Sequence, residues 1–161
     1  HHECERAQSE ATTGEPFARH WMHQAMVRMD GEKMSKSLGN LVFVSDLLKE
    51  CDPRAVRLAV LAHHYRESWE WRPPMMVEAA ERLERWQRAA TGDGPLTEVR
   101  AALDDDLDTP AALACVDDAV GRGQGVAASA MLLGVDLRAG EEPRPERPGD
   151  GAACDPGGAR R

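Results

Sequence analysis

Residues 73–90, PPMMVEAAERLERWQRAA, constrain the fold more than any other stretch. After the Pro73-Pro74 break, Met76, Val77, Ala80, Leu83 and Trp86 recur at helical spacing, while Glu78, Glu81, Arg82, Glu84, Arg85 and Arg88 cover the other side. An amphipathic helix of this kind needs an apolar partner layer. The neighbouring segments supply helical partners. Asp52-Pro53 is a helix start, an N-cap acid followed by proline at the first helical position. The helix it opens, 53–64, places Val56, Ala59, Val60 and His63 on one face, broadened by Leu58, Leu61 and Ala62. Two shorter helices are expected at 95–103 and 109–120, the second begun by Asp108-Thr109-Pro110, and a last apolar run spans 126–133. The chain therefore predicts a small helical bundle over 51–137.

Upstream the pattern changes. Residues 1–14, HHECERAQSEATTG, suit a helix that stops at glycine. Residues 21–29, WMHQAMVRM, read as a buried strand, with His20 and His23 beside it as ordinary core or surface histidines. Asp30-Gly31 is a turn signal, because glycine accepts positive φ without steric penalty. Leu41 to Val44 is β-prone, and Ser45 is placed to cap a short helix through Glu50.

The turn opens DGEKMSKSLGN, in which Lys33 and Lys36 alternate with Ser35 and Ser37 around Met34. A mobile loop with two ammonium groups, two hydroxyls and free backbone amides suits a polyphosphate. The bland alternative, a solvated Lys/Ser turn, would win for a generic K-x-x-K pair. KMSKS followed by LGN is a longer string than chance readily supplies.

Composition narrows the function classes. With 161 residues there is room for one modest domain, or for the end of one plus a small second. The formal net charge of -8 is a poor platform for a nucleic-acid backbone. No run approaches the ~20 apolar residues of a membrane helix, and no signal-peptide pattern is present, so a soluble cytoplasmic protein is expected. Cys4, Cys51, Cys115 and Cys154 are scattered without a C-x-x-C pair, which suggests free thiols in a reducing compartment. The acidic string 104–110, DDDLDTP, lacks the glycine and distal glutamate of a calcium loop. From Arg138 the sequence is rich in Pro, Gly and charge, so 138–161 is expected to be a disordered tail. The chain opens at His1 without methionine, as though cut from something longer.

KMSKS is the second signature of class I aminoacyl-tRNA synthetases. HHECERAQSE followed by GEPFARHWMHQAMVRMDGEKMSKSLGN resembles the cysteine-specific branch of that family, the cysteinyl-tRNA synthetases and the paralogous cysteine ligases of mycothiol biosynthesis. LVFVSDLL, AVRLAVLAHHYRESWEW, DDLDTPAAL and LLGVDL favour the ligases. The resemblance covers residues 1 to about 137. It implies a mostly α chain: residues 1–50 as the C-terminal end of an α/β, Rossmann-like catalytic domain carrying the KMSKS loop, then the bundle. The family's His-x-Gly-His signature is not in this sequence, so a missing N-terminal half, and an inactive isolated chain, are expected.

By the same resemblance, Lys33 and Lys36 hold the β- and γ-phosphates of ATP, with magnesium accompanying the nucleotide, while Met34, Ser35 and Ser37 shape the loop. Val27 matches the position whose backbone contacts the adenylate. His1 would ligate a zinc ion that binds substrate cysteine through its thiolate, selecting it against serine. Glu5, one helical turn on, matches the synthetase string HHENE and departs from the ligases, which keeps cysteinyl-tRNA synthetase open as an alternative. An isolated His/Glu pair at that spacing is more often hydrated surface. The implied substrates are cysteine, ATP and glucosaminyl-inositol. Transfer RNA is not expected, because no Lys/Arg-rich module follows the bundle. A stand-alone helical interaction module is the third reading.

Overall fold

The structure is a computed structural model and describes residues 2–138. His1, and the expected tail apart from Arg138, lie outside the described residues. The elements run α1 (His2–Thr13), β1 (Val27–Met29), β2 (Glu32–Lys33), α2 (Val44–Glu50), α3 (Pro53–Leu61), β3 (Trp69–Glu70), α4 (Pro74–Gln87), α5 (Leu96–Asp104), α6 (Thr109–Gly121) and α7 (Ala127–Leu132). The chain is mostly helical with one small sheet of order β2-β1-β3. Within it β1 runs antiparallel to β2 and parallel to β3.

Two helix starts follow the capping chemistry read from the sequence. Asp52 accepts from the Arg54 amide at 2.8 Å with Pro53 at the first helical position, and Asp108 accepts from the Ala111 amide at 2.9 Å ahead of Pro110. The same Asp52 carboxylate receives Arg54 Nε and Nη2, which raises the guanidinium pKa further. Arg54 Nη1 donates to Asp136 O, so one side chain ties the start of α3 to the end of the bundle.

The core is the helical layer. Leu58, Met76, Trp86, Val99, Leu113, Val116, Val126 and Val135 are fully buried, where α3 packs on α4, α5 on α6, and α6 also touches α3 and α4. Each of the larger residues contributes about 1.5–3 kcal/mol by leaving water. Trp86 brings a polar handle into this core. Its Nε1 donates to Asp117 Oδ1 at 2.7 Å, and Arg82 Nε donates to Asp117 Oδ2 at 3.0 Å, which joins α4 to α6. The segments 89–92 and 126–128 then pair by backbone bonds. Gly125 is required at that approach, because a Cβ there would collide with Thr91 O.

Several elements differ from the sequence reading. The buried face of α4 is Met75, Met76, Ala79, Leu83 and Trp86, with Val77 turned to solvent. Likewise Ala55 joins Val56, Leu58 and Ala59 on the inner face of α3, and Val60 is turned to solvent. In both helices the apolar residues exceed one stripe, and contact with the neighbouring helix decides which rotate inward. Of the strand expected over 21–29 only Val27–Met29 forms, because only there do β2 and β3 supply partners. The β-prone run 41–44 forms no strand, and α2 begins at Val44 with no side-chain cap, leaving Ser45 inside the first turn. Cys4 and Cys115 are free, whereas Cys51 is disulfide-bonded, so the expectation of free thiols fails at Cys51. Among the described residues no helix is long and apolar enough to cross a membrane.

The connection from α3 to β3 is held by side chains. Tyr65 OH donates to Asp106 Oδ1 at 2.7 Å, Arg66 pairs with the same carboxylate at 2.9 Å, and His64 Nε2 lies 3.2 Å from Asp106 O. These contacts clamp the α5–α6 turn, in which Asp106 and Leu107 adopt positive φ (57° and 56°). Such backbone costs on the order of 1 kcal/mol or more per residue and needs surrounding contacts to persist.

His63 stacks on Trp69 with centroids 4.1 Å apart. Burial lowers its pKa, partly opposed by the Ala59 carbonyl 3.1 Å from Nδ1. The folded chain therefore binds this proton less readily than the unfolded chain, whose histidine titrates near ~6.5. The resulting prediction is a stability that is level above about pH 6.5 and falls as pH drops below it. His63→Phe, which keeps the stacking, should flatten that fall in thermal unfolding followed by circular dichroism. An undiminished pH dependence would assign it to another group.

Candidate active site

The Lys/Ser segment leaves the sheet from a two-residue hairpin. Met29 faces Glu32 and Arg28 faces Lys33, with Asp30 (φ 54°) and Gly31 (φ 79°) between the strands. Two consecutive positive φ values are the requirement of the tight turn whose twist matches a hairpin, and Asp-Gly is a favoured pair for it. The tip is fastened from the far side of the sheet, where Glu70 Oε1 accepts from the Gly31 amide at 2.9 Å.

Hairpin register fixes the charges. Val27 O accepts from the Met34 amide at 3.0 Å, which leaves Arg28 and Lys33 as the intervening pair without mutual hydrogen bonds. Side chains in such pairs approach closely, and like charges there repel. Arg28, Lys33 and Lys36 are exposed and form no ion pair among the described residues. An anion between them would relieve the repulsion.

Beyond Lys33 the chain turns back on itself. Ser35 O accepts from the Leu38 amide and Lys36 O from the Gly39 amide, and Gly39 completes the turn at φ 65°. Ser35 Oγ and Ser37 Oγ lie 3.2 Å apart. The half-buried Met34 side chain packs against the core and anchors the segment. Asn40 had no role assigned from sequence beyond completing the string. Its carboxamide oxygen accepts from the Ser35 amide at 2.9 Å and its nitrogen donates to Lys33 O at 3.2 Å. Glu70 was also missed, since its partner Gly31 lies 39 residues away in sequence.

The structure thus brings Val27, Lys33, Met34, Ser35, Lys36 and Ser37 into one hairpin and loop. Glu5 lies apart from that loop's hydrogen bonds, exposed on α1. The start of α1 instead meets the segment after it: His2 Nδ1 lies 3.2 Å from His23 Nε2, and His23 stacks on Trp21. Among the described residues no group of three or more His, Cys, Asp or Glu side chains could hold a metal ion. Zinc takes four ligands or three plus a water, so the described residues do not by themselves fit that ion.

A family model for the catalytic domain of class I (C) tRNA synthetases matches residues 1–81, just over half of the chain. The chain belongs to the class I aminoacyl-tRNA synthetase family. Within that family it is similar to proteins named L-cysteine:1D-myo-inositol 2-amino-2-deoxy-alpha-D-glucopyranoside ligase. The relative from Acidothermus cellulolyticus is 54% identical over 125 residues, and that from Streptomyces griseus is 56% identical over 125. The relative from Thermobifida fusca is 55% identical over 126. Each alignment covers 73% of this class I chain and 31% of the relative. The chain therefore spans about a third of the length of the curated relatives it matches.

The geometry makes Glu70 a test of how the hairpin is held. Glu70→Ala should speed amide exchange at Gly31 by about 5–10-fold, the loss of roughly one net hydrogen bond, while Glu70→Gln keeps an acceptor and should change little. Equal exchange in all three proteins would show that this contact does not secure the tip.

Proposed function

We propose that this chain is the C-terminal portion of an ATP-dependent ligase that joins L-cysteine to the amine of glucosaminyl-inositol. The observation that carries this reading is the similarity, at 54–56% identity, to relatives named for that activity. The loop lysines, exposed and without an ion pair among the described residues, support it. Residues 1–50 then end a Rossmann-like catalytic domain that includes the KMSKS loop, and residues 51–137 form the accessory bundle. Phe17, Trp21, Met22 and Met26 expose apolar surface beside α1, as expected of a face covered by the rest of the enzyme. By itself the chain is proposed to be inactive.

The reaction has two steps. A cysteine carboxylate oxygen attacks the α-phosphorus of ATP, the bond to the bridging oxygen breaks, and pyrophosphate leaves. The amine nitrogen then attacks the acyl carbon, AMP departs, and the nitrogen loses a proton to form the amide. Lys33 and Lys36 would bind the β- and γ-phosphates and offset the charge that builds on departing pyrophosphate, with magnesium accompanying the nucleotide. Rate comes from placement and preorganised charge. Met34, Ser35 and Ser37 keep the loop in shape, and the Val27 backbone would adjoin the adenylate. Val27 O is already engaged by Met34, so such a contact would run through other backbone atoms or require the loop to move.

Lys36→Ala in the full-length enzyme should slow cysteine-dependent ATP–pyrophosphate exchange on the order of 10²-fold or more, with cysteine affinity nearly intact. Unchanged exchange would remove the loop from the chemistry. The acceptor is tested by offering glucosaminyl-inositol and tRNA in parallel. Product with tRNA alone would favour a cysteinyl-tRNA synthetase, the reading that Glu5 supports.

Zinc is proposed as a second component, with His1 and Glu5 as this chain's share of ligands and the remainder from outside the described residues. When bound it would hold substrate cysteine as the thiolate. His1→Ala in the full-length protein should lose zinc, measured as metal content. Full retention would exclude His1 as a ligand.

A further inference from the structure

Among the described residues, strand β2 lies at the edge of the sheet, and its outward backbone groups have no strand to pair with. Hairpin register sends the Met34 amide inward to Val27 O, and therefore sends Lys33 O and the Ser35 amide outward. Asn40 meets both. Its planar carboxamide carries one donor and one acceptor side by side, as a neighbouring strand would, and bonds both groups at 3.2 and 2.9 Å. Backbone on either side of Met34 is thereby fixed, and Lys33 and Lys36 leave from a defined path rather than a frayed strand end.

We propose that Asn40 is a positioning residue for adenylate formation, acting through Lys33 and Lys36 by completing the edge of β2. This rests on the ATP reading above. A side chain that only stabilised the fold would alter thermal stability and both substrates' KM together. One that aims the lysines at charge developing on pyrophosphate acts mainly on kcat.

The experiment is cysteine-dependent ATP–pyrophosphate exchange by the full-length enzyme, comparing wild type, Lys36→Ala, Asn40→Ala and Asn40→Asp. Asn40→Ala should lower kcat about tenfold or more, with KM for cysteine within about twofold of wild type and the thermal midpoint little changed. Asn40→Asp keeps an acceptor for the Ser35 amide but sets a carboxylate oxygen against Lys33 O. It should therefore also lose activity, although a structural hydrogen bond survives. Wild-type kcat in either Asn40 variant, with Lys36→Ala impaired, would overturn this proposal alone. A fall in activity that merely tracks a lower thermal midpoint would also overturn it. No exchange by wild type, or undiminished exchange by Lys36→Ala, would overturn the ATP reading and this proposal with it.

Discussion

The parallel pairing of β1 with β3 is the constraint on which the arrangement depends. Val27 faces Trp69 and Arg28 faces Glu70, and the Trp71 amide donates to Arg28 O at 2.7 Å. These few bonds join two parts of the chain with different chemistry. One is the hairpin that carries the lysines, and the other is the connection between α3 and α4, whose ends are set in the bundle core. Trp71 is buried directly after the strand, and the Ala25 amide reaches Tyr65 O just before it. A short strand pair would be marginal alone. Here it inherits rigidity from the helices on either side of β3.

That rigidity is maintained by a few polar contacts at the joints. Arg54 closes the bundle between Asp52 and Asp136 O, the Asp117 carboxylate joins α4 to α6, and Asp106 holds the α3–β3 connection through Tyr65 and Arg66. None is deeply buried, so the cost of removing their charges from water stays modest. Apolar burial supplies the driving force, and these contacts select among the ways the helices could pack. The Lys/Ser segment has the opposite economy of contacts. Its cations stay exposed, while Met34, Asn40 and the Val27 carbonyl fix only the path of the backbone.

The helices were legible because their ends carry local chemistry. Asp52-Pro53 and Asp108-Thr109-Pro110 cap within a few residues, and Gly134, just past α7, ends the last apolar run in positive φ. The Asp-Gly turn and the signature string were legible for the same reason. What sequence did not disclose was settled by groups distant in the chain. Trp69 and Glu70 become a strand only because β1 is adjacent, and it is tertiary packing that leaves Met75 buried and Val77 exposed. Asn40 stood in plain view, but its function depends on β2 being an edge, which is a property of the whole sheet. The relation of Glu5 to any metal depends on residues outside those described.

The tight Asp30-Gly31 turn also limits how this region can vary over evolutionary time. Side chains alternate between sheet faces with a period of two, so inserting or deleting one residue there would shift Lys33 out of line with Arg28 and turn it to the opposite face. Met34 would lose its place against the core, and Asn40 could no longer reach both backbone groups. Changes of letter within the loop alter its charge or its fit. A change of length would alter which face the lysines leave from, so the segment should tolerate substitution far better than indels.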